Sequence, residues 1–124
     1  MAPRSLGSLG CAVSHELDPL LPAADAVMML RIQFERHGEG AAAAGPKATG
    51  AAIPSIREYR ALYGMTEERA ERIKGGGIVM HPGPMNRGIE IDSAVADGPR
   101  SVVLRQVAHG VAVRMAALGL ILGA

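Results

Sequence analysis

The sequence predicts an α/β fold: a small parallel sheet flanked by helices, with a long helix at the C-terminus. Three observations carry this reading. Residues 26–32 (AVMMLRI) form an unbroken apolar run without alternation, the pattern of a strand buried on both faces. Residues 78–80 (IVM) form a second such run and lead directly into HPGPMNRG. Between the two lie segments of helical periodicity, and parallel strands need helical crossovers.

Taken in order, residues 1–10 read as a disordered tail and residues 11–14 as a short strand. A brief helix over residues 16–24 is kept short by Pro19 and Pro22. Residues 37–53 (HGEGAAAAGPKATGAAI) carry little that a core could bury, and read as a flexible loop. Ser55-Ile-Arg-Glu58 is a capping box, and Ile56, Tyr59, Leu62 and Tyr63 follow at helical spacing up to Gly64. A second short helix begins at Thr66 and stops before Gly75, Gly76 and Gly77. The last element, residues 99–123, is a helix with a stripe of Leu104, Val107, Val111, Met115, Leu118 and Leu122, off which Arg105 and Arg114 sit.

Composition narrows the functional classes. At 124 residues the chain fits one domain or part of one. It is 48% hydrophobic but holds one Phe, two Tyr and no Trp, so its core is built from aliphatic side chains and Met. Thirteen basic residues against twelve acidic give a net charge of +1, which supplies no field for nucleic acid or an anionic membrane. The longest apolar stretch, 115–124, is half of the roughly 20 residues that span a bilayer. Residues 1–10 lack the apolar run of a secretory signal. Cys11, the single cysteine, reads as a buried structural thiol and sets the expectation of a cytoplasmic protein.

Two constellations carry the candidate chemistry. In LRIQFER, alternation puts Arg31 and Gln33 on one face at the end of the first strand. A guanidinium fork fits a carboxylate bidentately, and a neighbouring amide both donates and accepts. On spacing alone an internal pair between Arg31 and a carboxylate such as Glu35 is the favoured account of the arginine. In His81-Pro82-Gly83-Pro84-Met85-Asn86-Arg87 the prolines remove donors and pin φ, leaving carbonyl oxygens for a ligand amide; a plain sharp turn with a structural His81 is the competing reading. His15, His37, His81 and His109 show no metal-ligand spacing. Lys74 before three glycines lacks the order of a phosphate-binding P-loop. No metal and no cofactor is expected.

In order along the chain, VMMLRIQFER, IREYRALYGMT, IVMHPGPMNRGIEI and QVAHGVAVRMAALGLIL resemble the C-terminal part of aspartate carbamoyltransferase catalytic chains. Ornithine enzymes of the same superfamily carry a Cys-containing loop where this sequence has HPGP. The resemblance implies a partial three-layer, Rossmann-like parallel-sheet domain over residues 1–124, the aspartate-binding domain. It implies that Arg31 and Gln33 hold the carboxylate of L-aspartate. It further implies that Pro82, Gly83 and Pro84 present carbonyls to the carbamoyl group of carbamoyl phosphate, with His81, Arg87 and Glu90 supporting that loop.

The implied reaction is attack of the aspartate amine on the carbamoyl carbon with release of phosphate, a step of pyrimidine biosynthesis that relies on positioning and charge stabilisation. The sequence contains no Ser-Thr-Arg-Thr phosphate loop, so no catalytic residue is assigned and the chain alone is expected to be inactive. By resemblance its assembly is a homotrimer, or a dock onto a complementary carbamoyl phosphate domain that covers the terminal helix. A non-catalytic interaction module or small-anion binder is the alternative.

Overall fold

A computed structural model describes residues 4–32 and 55–123. Strand β1 (Ala26–Met28) pairs in parallel with β2 (Ile78–Met80), in the register Ala26↔Ile78, Val27↔Val79 and Met28↔Met80. The ladder is extended by Ile78 N–H to the Asp25 carbonyl at 3.0 Å and by Met29 N–H to the Met80 carbonyl at 2.9 Å. On its other edge β2 receives a parallel bridge from Ser101, where Val79 N–H meets the Arg100 carbonyl at 2.8 Å and Val102 N–H meets the Val79 carbonyl at 2.9 Å. With partners on both edges β2 is central, and Val79 is fully buried.

Among the described residues, four α-helices complete the fold: α1 (Ile56–Tyr63), α2 (Glu67–Arg72), α3 (Ser93–Ala96) and α4 (Val103–Leu122). The first two begin as their sequences dictate. Ser55 Oγ accepts the Glu58 amide at 3.0 Å and Thr66 Oγ1 accepts the Arg69 amide at 3.3 Å, each satisfying a helix donor that would otherwise lack a partner. Gly64, which follows α1, packs so closely that a Cβ there would lie 2.7 Å from the Arg60 carbonyl and 2.9 Å from that of Ile89. Behind it Met65 bridges to Ile91, tying the start of α2 to the segment after the HPGP loop. Arg69 then braces this corner, bonding both oxygens of Asp18 at 3.0 and 2.8 Å and the Gly64 carbonyl at 2.7 Å.

The core is aliphatic, as the composition requires. Leu21, Met29, Met65, Ala70, Ile73, Val79, Ile91, Val95 and Ala96 form one cluster, with Leu17, Val27 and Met85 packed against it. No helix among the described residues is long and apolar enough to cross a membrane.

The structure departs from expectation in several places. Residues 11–14 are not a strand: they find no ladder partner among the described residues, and a strand without one has nothing to satisfy its backbone groups. Cys11 is accordingly exposed rather than buried. Residues 16–24 hold a 3-10 helix, Asp18–Ala23, because Pro22 within it cannot donate an α-helical bond. The β1 run is not buried on both faces along its length, although Ile32 at its end is buried. Val27 and Met29 join the core, whereas Met28 is 50% and Leu30 62% exposed, since the described residues provide no layer over that side. A 3-10 helix at Arg4–Leu9 stands where a disordered tail was expected, α3 is an addition, and α4 begins at Val103 rather than at residue 99 because residues 100–102 pair with Val79; residues 37–53 lie outside the described ones.

Candidate functional site

The C-terminal ends of the two parallel strands open side by side, and the HPGP loop leaves from the end of β2. At the neighbouring end of β1, Arg31 is half-buried; Gln33, its expected companion, lies outside the described residues. The two ends are fastened together by Asn86, whose Nδ2 donates to the Ile32 carbonyl at 3.1 Å. The loop is thereby anchored to the residue between Arg31 and Gln33.

The loop is shaped from beneath by buried polar groups. His81 and Glu90 are both fully buried, with His81 Nε2 at 3.4 Å from Glu90 Oε1. His81 N–H donates to Gln106 Oε1 at 2.9 Å, so the first turn of α4 holds the start of the loop. Two residues on, Gly83 N–H donates back to His81 Nδ1 at 2.9 Å. Gly83 takes a positive φ of 64°, a conformation costly for a side-chain-bearing residue, and the Gly83–Pro84 peptide is cis. Glu90 closes the far side by accepting the Asn86 amide at 2.5 Å. Its second oxygen, Oε2, and His81 Nε2 have no hydrogen-bond partner among the described residues.

Arg87 turns outward and forms a fork with Asp97 just beyond α3, at 2.6 and 2.8 Å. These bonds from Arg87 hold the Asp97 carboxyl below its usual range and raise the guanidinium above its own. Arg60 of α1 grips the other end of the turn through the Gly88 carbonyl at 2.6 Å and Asp92 at 2.5 Å. Nearby, burial pushes the Tyr59 phenol up, with smaller contributions from Glu90 and Tyr63.

Of the residues singled out in the sequence, Arg31, His81, Pro82, Gly83, Pro84 and Glu90 therefore gather at one sheet edge, and Arg87 stands beside it in a salt bridge. Contributors that were not singled out include Asn86, Gln106 and Asp97. Asn86 lay inside the HPGPMNRG motif and Gln106 at the start of a helical stripe, but contacts 54 and 25 residues apart leave no periodic trace. A separate open groove of about 450 Å³ beside α1 and α2 includes Arg57, Arg60, Arg69 and Arg72. Three of these already pair with Asp92 or Asp18. Among the described residues no cluster of His, Cys, Asp and Glu could hold a metal ion.

The chain is similar to known proteins along nearly its whole length. The chain is 52% identical over 118 residues to the aspartate carbamoyltransferase catalytic subunit of Myxococcus xanthus, and 50% identical over 123 residues to that of Syntrophotalea carbinolica. The matches cover 95% and 99% of this chain but 36% of each relative, so the chain spans about a third of their length. Among solved structures, aspartate transcarbamoylase from Trypanosoma cruzi in complex with carbamoyl aspartate and phosphate superposes with a TM-score of 0.63. It is 28% identical and covers 85% of this chain and 28% of that one. Ornithine carbamoyltransferase from Pyrococcus furiosus shares the fold, with a TM-score of 0.59 over 83% of this chain and 30% of its own. The family described as aspartate/ornithine carbamoyltransferase, Asp/Orn binding domain, matches residues 8–121, and the chain belongs to that family.

Proposed function

We propose that this chain supplies the aspartate-binding part of an aspartate carbamoyltransferase, the transfer of a carbamoyl group from carbamoyl phosphate to L-aspartate in pyrimidine biosynthesis. The observation that carries the proposal is the juxtaposition of Arg31 with the HPGP loop across the Asn86–Ile32 bond. Arg31, with Gln33, grips an aspartate carboxylate. Pro82, Gly83 and Pro84 turn carbonyls toward the carbamoyl amide, and none of these carbonyls accepts a hydrogen bond from a described residue. His81, Glu90 and Arg87 keep the loop in shape. The contribution of this chain is orientation of the amine and the carbamoyl group, worth several kcal/mol when a nucleophile is held near its target.

Partial coverage of the relatives makes the remaining machinery part of the proposal too: a complementary carbamoyl phosphate domain, a trimeric assembly and a cytoplasmic setting. The apolar stripe of α4 favours such a partner, since Leu104, Val107, Val111, Met115 and Leu118 are all exposed. The same stripe supports a second reading, an interaction module that retains only weak anion binding.

The test is formation of carbamoyl aspartate from carbamoyl phosphate and L-aspartate, by the chain alone and mixed with the complementary portion of the Myxococcus xanthus relative. Product is expected only from the mixture and is expected to vanish with Arg31→Ala. Calorimetry of the chain alone should show L-aspartate bound more weakly than about 1 mM, roughly 4 kcal/mol. A mixture that is demonstrably assembled yet makes no product favours the interaction module.

A further inference from the structure

The span 82–84 contains a single backbone donor. Pro82 and Pro84 have no N–H, so only Gly83 carries one, and that N–H is directed inward to His81 Nδ1 at 2.9 Å. An imidazole nitrogen that accepts a hydrogen bond carries no proton, so the ring proton resides on Nε2. Nε2 faces Glu90 Oε1 at 3.4 Å, the buried carboxylate that the Asn86 amide also engages. The Gly83 donor selects the tautomer, because a ring proton on Nδ1 would meet the Gly83 N–H head-on.

We propose that His81 is a specificity-determining positioning residue which, through an unprotonated Nδ1, absorbs the only backbone donor of residues 82–84. Residues 82–84 then offer a ligand hydrogen-bond acceptors and nothing else. Such a surface favours a group rich in N–H, the amide end of a carbamoyl compound, over an isosteric group with a methyl or an oxygen in its place. A site with fixed acceptors discriminates strongly, because an analogue without donors leaves them unpaired. Gln106 assists by taking the His81 backbone N–H, which sets the ring's position at the start of the loop. The ligand class rests on the function proposed above; the tautomer and the Gly83 bond rest on geometry alone.

The experiment is nitrogen NMR on the uniformly ¹⁵N-labelled chain. The expected spectrum shows His81 with a protonated Nε2, an unprotonated Nδ1 and a scalar coupling from Gly83 N to His81 Nδ1 across the hydrogen bond. An Nδ1-protonated or doubly protonated ring, or absence of the coupling, overturns the proposal. His81→Asn, whose side-chain oxygen stands near the place of Nδ1, should keep the Gly83 amide slow to exchange. His81→Phe should speed that exchange about tenfold, the loss of one net hydrogen bond, while the β2 amides stay protected. Equal Gly83 exchange in the two variants overturns it as well. A correct tautomer in a chain that yields no product when assembled would leave the positioning role standing and remove the carbamoyl assignment.

Discussion

Helix α4 and the β2 region have similar apolar content and opposite fates. Around β2, Val79, Ile91 and Met65 are fully buried, and even His81 and Glu90 are sealed from solvent. Along α4, Leu104 and Leu120 are 86% exposed and Ile121 79%, and Val103 is its one buried residue. A helix closes most of its backbone hydrogen bonds within itself, so α4 keeps its form with only its first turn packed. A strand cannot; β2 exists because β1 and the segment around Ser101 satisfy it on both edges. The comparison separates what makes an element from what buries it.

The sharpest way to test that contrast is to truncate an aliphatic side chain in each region. Ile91→Ala empties a fully enclosed site and should cost about 2 to 5 kcal/mol in urea denaturation. Val111→Ala on α4 should change stability by less than about 0.5 kcal/mol. Similar losses at both positions would show that α4 is covered in solution.

Gly64→Ala probes the corner that fastens α1 to the segment after the loop. Its methyl would press on two carbonyl oxygens that belong to backbone and cannot rotate away. A cost of about 1 to 3 kcal/mol is expected in the same denaturation experiment.

On α4 the informative change is in solubility rather than stability. Val111→Lys and Leu118→Lys together should reduce concentration-dependent association in sedimentation velocity, because they break a continuous exposed apolar patch. Their unfolding midpoint should stay close to that of the unsubstituted chain. Undiminished association would place the adhesive surface elsewhere, with the exposed Met28 and Leu30 face of the sheet next in line.

The smallest effect concerns acid. Asp18 is held below the ordinary carboxylate range chiefly by its hydrogen bonds from Arg69, and Asp97 by those from Arg87. Depressed folded values mean that the unfolded chain binds more protons as the pH falls. The contribution of both pairs is complete above the unfolded carboxylate value of about 3.9 and disappears as the pH falls through the lower folded values. Asp18→Asn and Asp97→Asn should each flatten the pH dependence of urea stability below about pH 4. Exposure of both carboxylates keeps the change small. An unchanged profile would show that the pairs do not persist in solution.

Much of the site was legible because its chemistry is local. HPGP announces a donor-poor turn through its prolines, and LRIQ places a guanidinium at a strand end through its position after an apolar run. The neighbours that give these motifs their shape were not legible. Asn86 reaches Ile32, Gln106 reaches His81 and Arg87 reaches Asp97 through side chains whose partners depend on how segments cross. The strand expected over residues 11–14 failed for a related reason: pattern can propose a strand, but a partner must be present to pair it.

What the sequence by itself determined was the α/β class, the start of α1 and α2 at Ser55 and Thr66, the extent of β2 and the long terminal helix. All of these follow from caps, breakers and periodicity within a few residues. Only the tertiary structure decided that β2 is central, that His81 and Glu90 meet in a sealed pocket, that one face of β1 is left uncovered, and that Cys11 is exposed. Burial and long-range pairing are properties of the assembled chain, set by which surfaces exclude water from one another.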